Sequence, residues 1–248
     1  MTLANKQKAV YVPGTYAQKK PDAAQRAAQY FREWEKKRRE TRGREPRPAQ
    51  IAPAICFSRK TGVGALEIAD ILAETTGFRV ADREILEQMA QDAALSKETV
   101  AFFDERYPGK MSELSAMLFG EKSFTMSDYL RNFVSAVFAF ADMGSTIFVG
   151  RGTHLILPRD RVLAVRFIGS AAYRIKRLAD ILDVAVQEAE AILGKIDKEQ
   201  QEFFKKAFGK RDAPPYEFDM VINCDYITEP RSAAAIVAQA FRAKFASA

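Results

Sequence analysis

The residues Ser58-Arg59-Lys60-Thr61-Gly62-Val63-Gly64-Ala65-Leu66-Glu67-Ile68-Ala69 stand between an apolar strand-like run and an amphipathic helical one. A strand, a glycine-containing loop and a helix, in that order, make an anion site. Glycines let backbone N–H groups approach phosphate oxygens, and the helix that follows turns the positive end of its dipole toward them. The standard pattern G-x-x-x-x-G-K-[ST] is not met, however. Aligned on Gly64, its first glycine falls on Arg59, its lysine on Ala65 and its hydroxyl residue on Leu66. A plain tight turn from strand to helix is the alternative reading of the same residues.

Charged and polar residues fall at the ends of other strand-like runs: Asp82 after the second, Arg151 after the third and Asn223 at the end of the fifth. Ligands of open parallel sheets collect beyond the carboxyl ends of the strands, so these positions converge on one edge with Ser58 onward. Asp82 can hold magnesium through water or accept a proton from a phosphoryl acceptor; as the residue before a helix it can equally serve as an N-cap. Arg83 is a further candidate for phosphate or base contact. Arg174 and Arg177, three apart, share one helix face, which can meet an anion or simply face water. His154 is the lone histidine and lacks the cluster of partners that a metal site requires, so it reads as structural or as a minor contact. Cys56 and Cys224 lie in apolar runs and read as buried thiols. No nucleophile with a base and an orienting group stands out.

The elements that position these residues alternate between strand and helix from Ile51 onward, which predicts a parallel sheet covered on both faces. Strands are expected at 51–57, 78–81, 145–149, 162–168 and 219–224. Helices are expected at 65–76, 83–94, 126–143 and 230–245, with a broken helical stretch over 96–125 that turns at Pro108-Gly109. A charged, largely helical segment spans 171–212. The stripe Phe133, Val137, Phe140 reads as core packed on the sheet. Residues 1–20 are polar and expected to be mobile. A helix begins near Pro21-Asp22, with Ala23, Ala27, Tyr30, Phe31 and Trp34 on one face, and runs into Lys36-Lys37-Arg38-Arg39. Arg42 to Pro48 reads as a linker.

The chain has 248 residues, 48% of them hydrophobic and 28% charged, with a net charge of +6. Its basic character is local: residues 1–50 hold 13 Lys/Arg against 5 Asp/Glu, and the rest holds 25 against 27. The division expected is a basic extension over 1–50 and one α/β domain over 51–248, with a lid at about 171–212. The extension's helix either docks on the domain or contacts an acidic partner; nucleic acid is not an expected partner. The longest apolar run, Val134 to Ala141, is far short of the ~20 residues that span a bilayer, and the first twenty residues lack a signal peptide's apolar region. A cytoplasmic protein without membrane contact is the expectation.

The loop resembles the S-R-x-x-G-S-G-G-R-E-I-A segment of the cytidylate-kinase-like family, whose members also lack the standard lysine. Ser58, Arg59, Gly62, Gly64, Glu67, Ile68 and Ala69 match it, and Val63, Ala65 and Leu66 depart from it. The similarity continues at Asp82-Arg83-Glu84-Ile85, Val149-Gly150-Arg151-Gly152, Tyr173 to Arg177, Lys195 to Glu199 and Tyr216 to Asn223, in order, over about residues 53–240. This resemblance implies a P-loop kinase fold, a five-stranded parallel sheet in a three-layer α/β/α arrangement with helical acceptor-side and lid regions. It implies an enzyme that uses ATP and Mg2+ to phosphorylate a nucleoside monophosphate, CMP or dCMP. By the same resemblance, Ser58, Arg59, Lys60, Thr61, Gly62, Val63, Gly64 and Ala65 cradle the ATP phosphates, with Lys60 or Arg59 covering for the missing lysine. Arg151 grips the acceptor phosphate beside Asp82 and Arg83, and Arg174 and Arg177 close over the transfer. Gln200 stands where the family usually carries an arginine. The substitutions at Ala65, Leu66 and Gln200 leave two other readings open: a nucleotide-binding module without turnover, and a kinase for another small acceptor.

Overall fold

The computed structural model describes residues 22–41, 51–119, 127–210 and 212–246. The polar first twenty residues, Pro21, the linker Arg42–Pro48 and the end of the 96–125 stretch lie outside the described residues. Within them, β1 (Ala54–Arg59), β2 (Arg79–Asp82), β3 (Thr146–Val149), β4 (Val162–Ile168) and β5 (Met220–Asn223) form an all-parallel sheet in the order β2-β3-β1-β4-β5. β1 is central, with Ile55 opposite Ile147 of β3 on one side and Leu163 of β4 on the other.

The helices are α1 (Ala23–Thr41), α2 (Ala65–Thr76), α3 (Arg83–Gln91), α4 (Ala93–Arg106), α5 (Lys110–Phe119), α6 (Asp128–Asp142), α7 (Ala171–Leu182), α8 (Val186–Phe208) and α9 (Pro230–Phe245). Alternation along β1 divides the core. Ala54 and Cys56 face a cluster built with α3, α4 and α6 around Phe103, Phe133, Phe138 and Phe140, whereas Ile55 and Phe57 face α2 and α9 through Leu72 and Val237. The expected stripe Phe133, Val137, Phe140 is fully buried in the first of these clusters. A third, smaller cluster joins α7 to α8 through Leu178, Ala179, Ala189 and Leu193.

One helix was expected over 83–94, and two are found. Asp92 ends α3 and caps α4, its carboxylate accepting from the N–H groups of Ala94 and Leu95 at 3.0 Å. The first strand also runs further than its apolar residues do, because Ser58 and Arg59 still pair with Arg166 and Phe167.

Helix α1 packs into the same cluster as α3, α4 and α6. Ala27 and Trp34 are buried there, and the indole meets Phe102 edge-on at 5.2 Å. Polar contacts tie the helix to the sheet's β2 side: Tyr30 donates to the Val80 carbonyl and Glu33 pairs with Arg79. At its basic end Lys37 donates to the Asp142 carbonyl, and the Arg38 guanidinium lies 4.9 Å from the Trp34 ring.

Candidate active site

The loop after β1 is held at both ends by ordinary pairing. The Lys60 N–H donates to the Phe167 carbonyl at 3.1 Å, and the Ile68 N–H closes the first turn of α2 on the Gly64 carbonyl at 3.1 Å. The backbone between them turns through left-handed conformations at Gly62 (φ 88°) and Gly64 (φ 77°), and α2 then points its N-terminus at the concavity. Thr61 is fully buried, and its hydroxyl has no hydrogen-bond partner among the described residues. Helix α7 lies directly against this loop. A Cβ at Gly62 would stand 3.1 Å from the Arg174 carbonyl oxygen, and one at Gly64 would stand 2.8 Å from Arg177 Nη2. The two glycines thus serve the turn and the close approach of α7 together.

The arginines that α7 brings to the loop are already paired. Arg174 donates to Asp197 of α8 at 2.7 Å and to the Thr61 carbonyl at 3.3 Å, and Arg177 donates to Glu67 of α2 at 2.5 Å. Carboxylates therefore hold both guanidinium groups beside the loop. Lys60 does not reach over the loop to take the place of the missing lysine. Its ammonium lies 3.7 Å from Asp212, and Arg59 lines the cleft described next. The cations over the glycines come from α7, as Arg174 and Arg177.

Beyond the ends of β1 and β3 lies an open cleft, floored by Ser58 and Arg59, walled by Arg83 and Arg151, and roofed by Gln200, Phe203 and Phe204 of α8. It continues past Ser58 and Arg59 into a second open pocket lined by Lys60, Arg166, Asp197 and Asp212. Arg151 occupies a left-handed backbone position (φ 56°) between two left-handed glycines, Gly150 and Gly152. Its guanidinium donates to Glu87 of α3 and lies 3.9 Å over the Phe203 ring. Glu87 also accepts from Arg83 Nε, at 3.2 Å to each oxygen. Burial pulls the Arg151 pKa below the ordinary guanidinium value, and the Glu87 carboxylate opposes that pull.

Asp82 takes the N-cap position, one of the two roles its sequence context offered. It is 5% exposed, and each carboxylate oxygen has a partner: Oδ1 accepts from the Ile85 N–H at 3.0 Å and Oδ2 from Arg26 of α1 at 2.5 Å. The N-cap role is the one this geometry provides; a carboxylate so engaged suits neither a hydrated metal ion nor a proton acceptor. No cluster of three or more metal-ligating side chains occurs among the described residues. Asn223 shapes a turn instead of facing the cleft, its side-chain oxygen accepting from the Asp225 N–H.

Glu87, Phe203, Arg166 and Asp212 were not singled out from sequence. Arg166 on β4 is 8% exposed and donates to Asp212 and to the Ala213 carbonyl. Partial burial raises the Asp212 pKa, but hydrogen bonds from Arg166 and the Ala213 N–H outweigh it and hold the group below the usual carboxylate range.

His154 stands outside the cleft, buried against Phe218 with ring centroids 4.8 Å apart and Nε2 3.5 Å from Glu217. Burial lowers its pKa from 6.5 to about 4. The unfolded chain therefore binds the extra proton between about pH 6.5 and pH 4, and stability falls as pH drops through that window. Urea unfolding should show about 2 kcal/mol of loss from this group between pH 7 and pH 5, and His154→Gln should flatten the dependence. An unchanged slope in the variant would remove His154 as its source.

The sequence model of one family, described as the cytidylate kinase-like family, matches residues 54–226. Among solved structures, an uncharacterized protein from Eubacterium ventriosum aligns over 77% of this chain and 98% of its own, with a TM-score of 0.59 at 18% identity, a likeness that shows a shared fold. Shikimate kinase from Bacteroides thetaiotaomicron aligns over 78% and 97% (TM-score 0.38, 12% identity), and dephospho-CoA kinase from Campylobacter jejuni over 77% and 98% (TM-score 0.34, 13% identity). No curated protein matches.

Proposed function

This chain belongs to the cytidylate kinase-like family, and from that premise we propose that it transfers the γ-phosphoryl group of ATP to a nucleoside monophosphate, cytidylate or deoxycytidylate. The observation that carries the reading is the cleft itself, where Arg59, Arg83 and Arg151 gather at the strand ends beside a glycine loop overlaid by Arg174 and Arg177. Phosphoryl transfer asks a protein mainly to position anions and neutralise developing charge, and these residues suit that task.

The loop N–H groups and the α2 dipole take the ATP phosphates. Arg174 and Arg177 exchange Asp197 and Glu67 for phosphate oxygens as α7 and α8 settle over the nucleotide. Arg151, backed by Arg83, holds the acceptor's phosphate. One of that phosphate's oxygens attacks the γ-phosphorus, the bond to the β–γ bridging oxygen breaks, and ADP departs with the electron pair. The acceptor's second ionisation has a pKa of about 6, so the attacking oxygen is already deprotonated at neutral pH and no general base is required. Magnesium arrives with ATP as part of the substrate, held by the phosphates and water, since Asp82 is otherwise engaged. Among the described residues no helix is long and apolar enough to cross a membrane, and the ATP supply of the cytoplasm is the setting this activity requires.

A binding module without turnover is the second reading, favoured by Ala65, Leu66 and Gln200 together with the carboxylates that already hold both lid arginines. A coupled ATP-consumption assay with magnesium and a panel of nucleoside monophosphates separates the two. Turnover on CMP or dCMP is the expected result. Silence across the panel, in protein that binds ATP by calorimetry, would overturn phosphotransfer to these acceptors and leave the binding module.

A further inference from the structure

Arg83 lines the cleft, and both residues flanking it in sequence are carboxylates held by one side chain from outside the family-matched region. Arg26 of α1 donates through Nη1 to Asp82 at 2.5 Å and through Nη2 to Glu84 at 3.2 Å, and its own side chain is only 14% exposed. Asp82 in turn caps α3, which carries Arg83 and, one turn on, Glu87; Glu87 holds Arg151. The chain of contacts runs without a gap from the N-terminal helix to the arginine that walls the cleft.

We propose that Arg26 is a positioning residue for the phosphate-acceptor side of the site, fixing the first turn of α3 and through it the Arg83–Glu87–Arg151 group. This inference rests on the phosphotransfer reading for its kinetic consequence, though not for its structural one. The physical argument is one of geometry and charge. A guanidinium that spans two carboxylates half a turn apart sets the rotation of the helix end that bears them, because its donors lie in a rigid plane. The contact also offsets one of the two negative charges of Asp82 and Glu84, which would otherwise both stand beside an anionic acceptor. The glycine loop makes none of these hydrogen bonds, so the effect is expected on the acceptor side.

Arg26→Met keeps the packed stem and removes the fork. Asp82→Asn keeps the oxygen that caps Ile85 and removes the charge that Arg26 meets. In each variant kcat/KM for the acceptor should fall about tenfold, with the KM for ATP changed less than about twofold, as expected when the loss falls on one substrate's side of the site. The double variant should cost no more than the larger single one, since both break the same link. Arg26→Lys, a point charge without the fork, should recover only part of the effect. An equal change in the KM for ATP, or additive costs in the double variant, would overturn the proposal.

Amide hydrogen exchange on the free protein supplies the arm that needs no turnover. In Arg26→Met, exchange at Arg83 to Leu86, and at the Ile85 N–H above all, should quicken while that of the Gly62–Ile68 loop stays the same. Unchanged exchange at Ile85 would overturn the positioning role. If the wild-type protein is silent with every monophosphate, the phosphotransfer reading falls by itself and the exchange experiment still decides what Arg26 does.

Discussion

Replacing Arg151 by alanine should lower turnover on a nucleoside monophosphate by roughly 10²-fold or more, the order found when a preorganised charge-stabilising donor is removed. The side chain is held in place at the cleft wall. It is 12% exposed, stacks on Phe203 and shares Glu87 with Arg83, and its Nε is buried without a hydrogen-bond partner among the described residues. Keeping a desolvated guanidinium in a left-handed backbone position costs stability, and strain of this kind collects at functional sites. Arg151→Gly separates chemistry from backbone. Glycine accepts φ 56° freely, so the glycine variant should be at least as stable as the alanine variant and equally inactive. Near-normal kcat in either variant, by the same coupled assay, would end the role assigned to Arg151.

Gly152→Ala should lower the thermal unfolding midpoint by about 5–15 °C, because two costs of about 1–3 kcal/mol each add at this position. The first is a left-handed backbone (φ 70°) that a β-carbon resists. The second is steric: that β-carbon would stand 2.5 Å from Cε2 and 2.7 Å from Cζ of Phe208, a fully buried ring at the end of α8. Leucine at 208 lacks atoms that far out, so Phe208→Leu in the Gly152→Ala background should restore part of the loss. A shift below about 2 °C by circular dichroism would mean that α8 yields easily and does not press on the strand ends. The same contact brings α8 over the cleft, so activity should fall further than the stability loss alone accounts for.

The strands were legible because buried parallel strands read as continuous apolar runs. Val162–Ile168 is found where its run of apolar residues puts it, and the β1 run identified the central strand. Its last two residues escaped notice because Ser58 and Arg59 look out toward the cleft, where a strand end bears polar groups. The break at Asp92 was readable in principle, since an aspartate before Ala-Ala-Leu is a good N-cap, but the apolar period continues across it. Site partners were harder. Arg26 meets Asp82 across 56 residues and Arg151 meets Glu87 across 64, and no local pattern reports such pairings. Only Glu87 left a trace, four residues after Arg83 on one helix face. Residue type likewise gave Lys60 its charge but not its partner, Asp212, which lies 152 residues on.

The central place of β1 has a consequence for how the protein is made. Its neighbours are β3 and β4, so Ile55 waits for Ile147, and Ala54 for Val162, before either edge is satisfied. On a ribosome adding about 5–20 residues per second, that interval is roughly 5–20 s. Throughout it the strand that anchors the whole sheet is an apolar ribbon with both edges open, and only helices can shelter its faces, α2 on one and α3, α4 and α6 on the other as they emerge. A nascent chain interrupted before β4 therefore exposes the segment most able to pair with a stranger, and that interval is where a chaperone has the most to do.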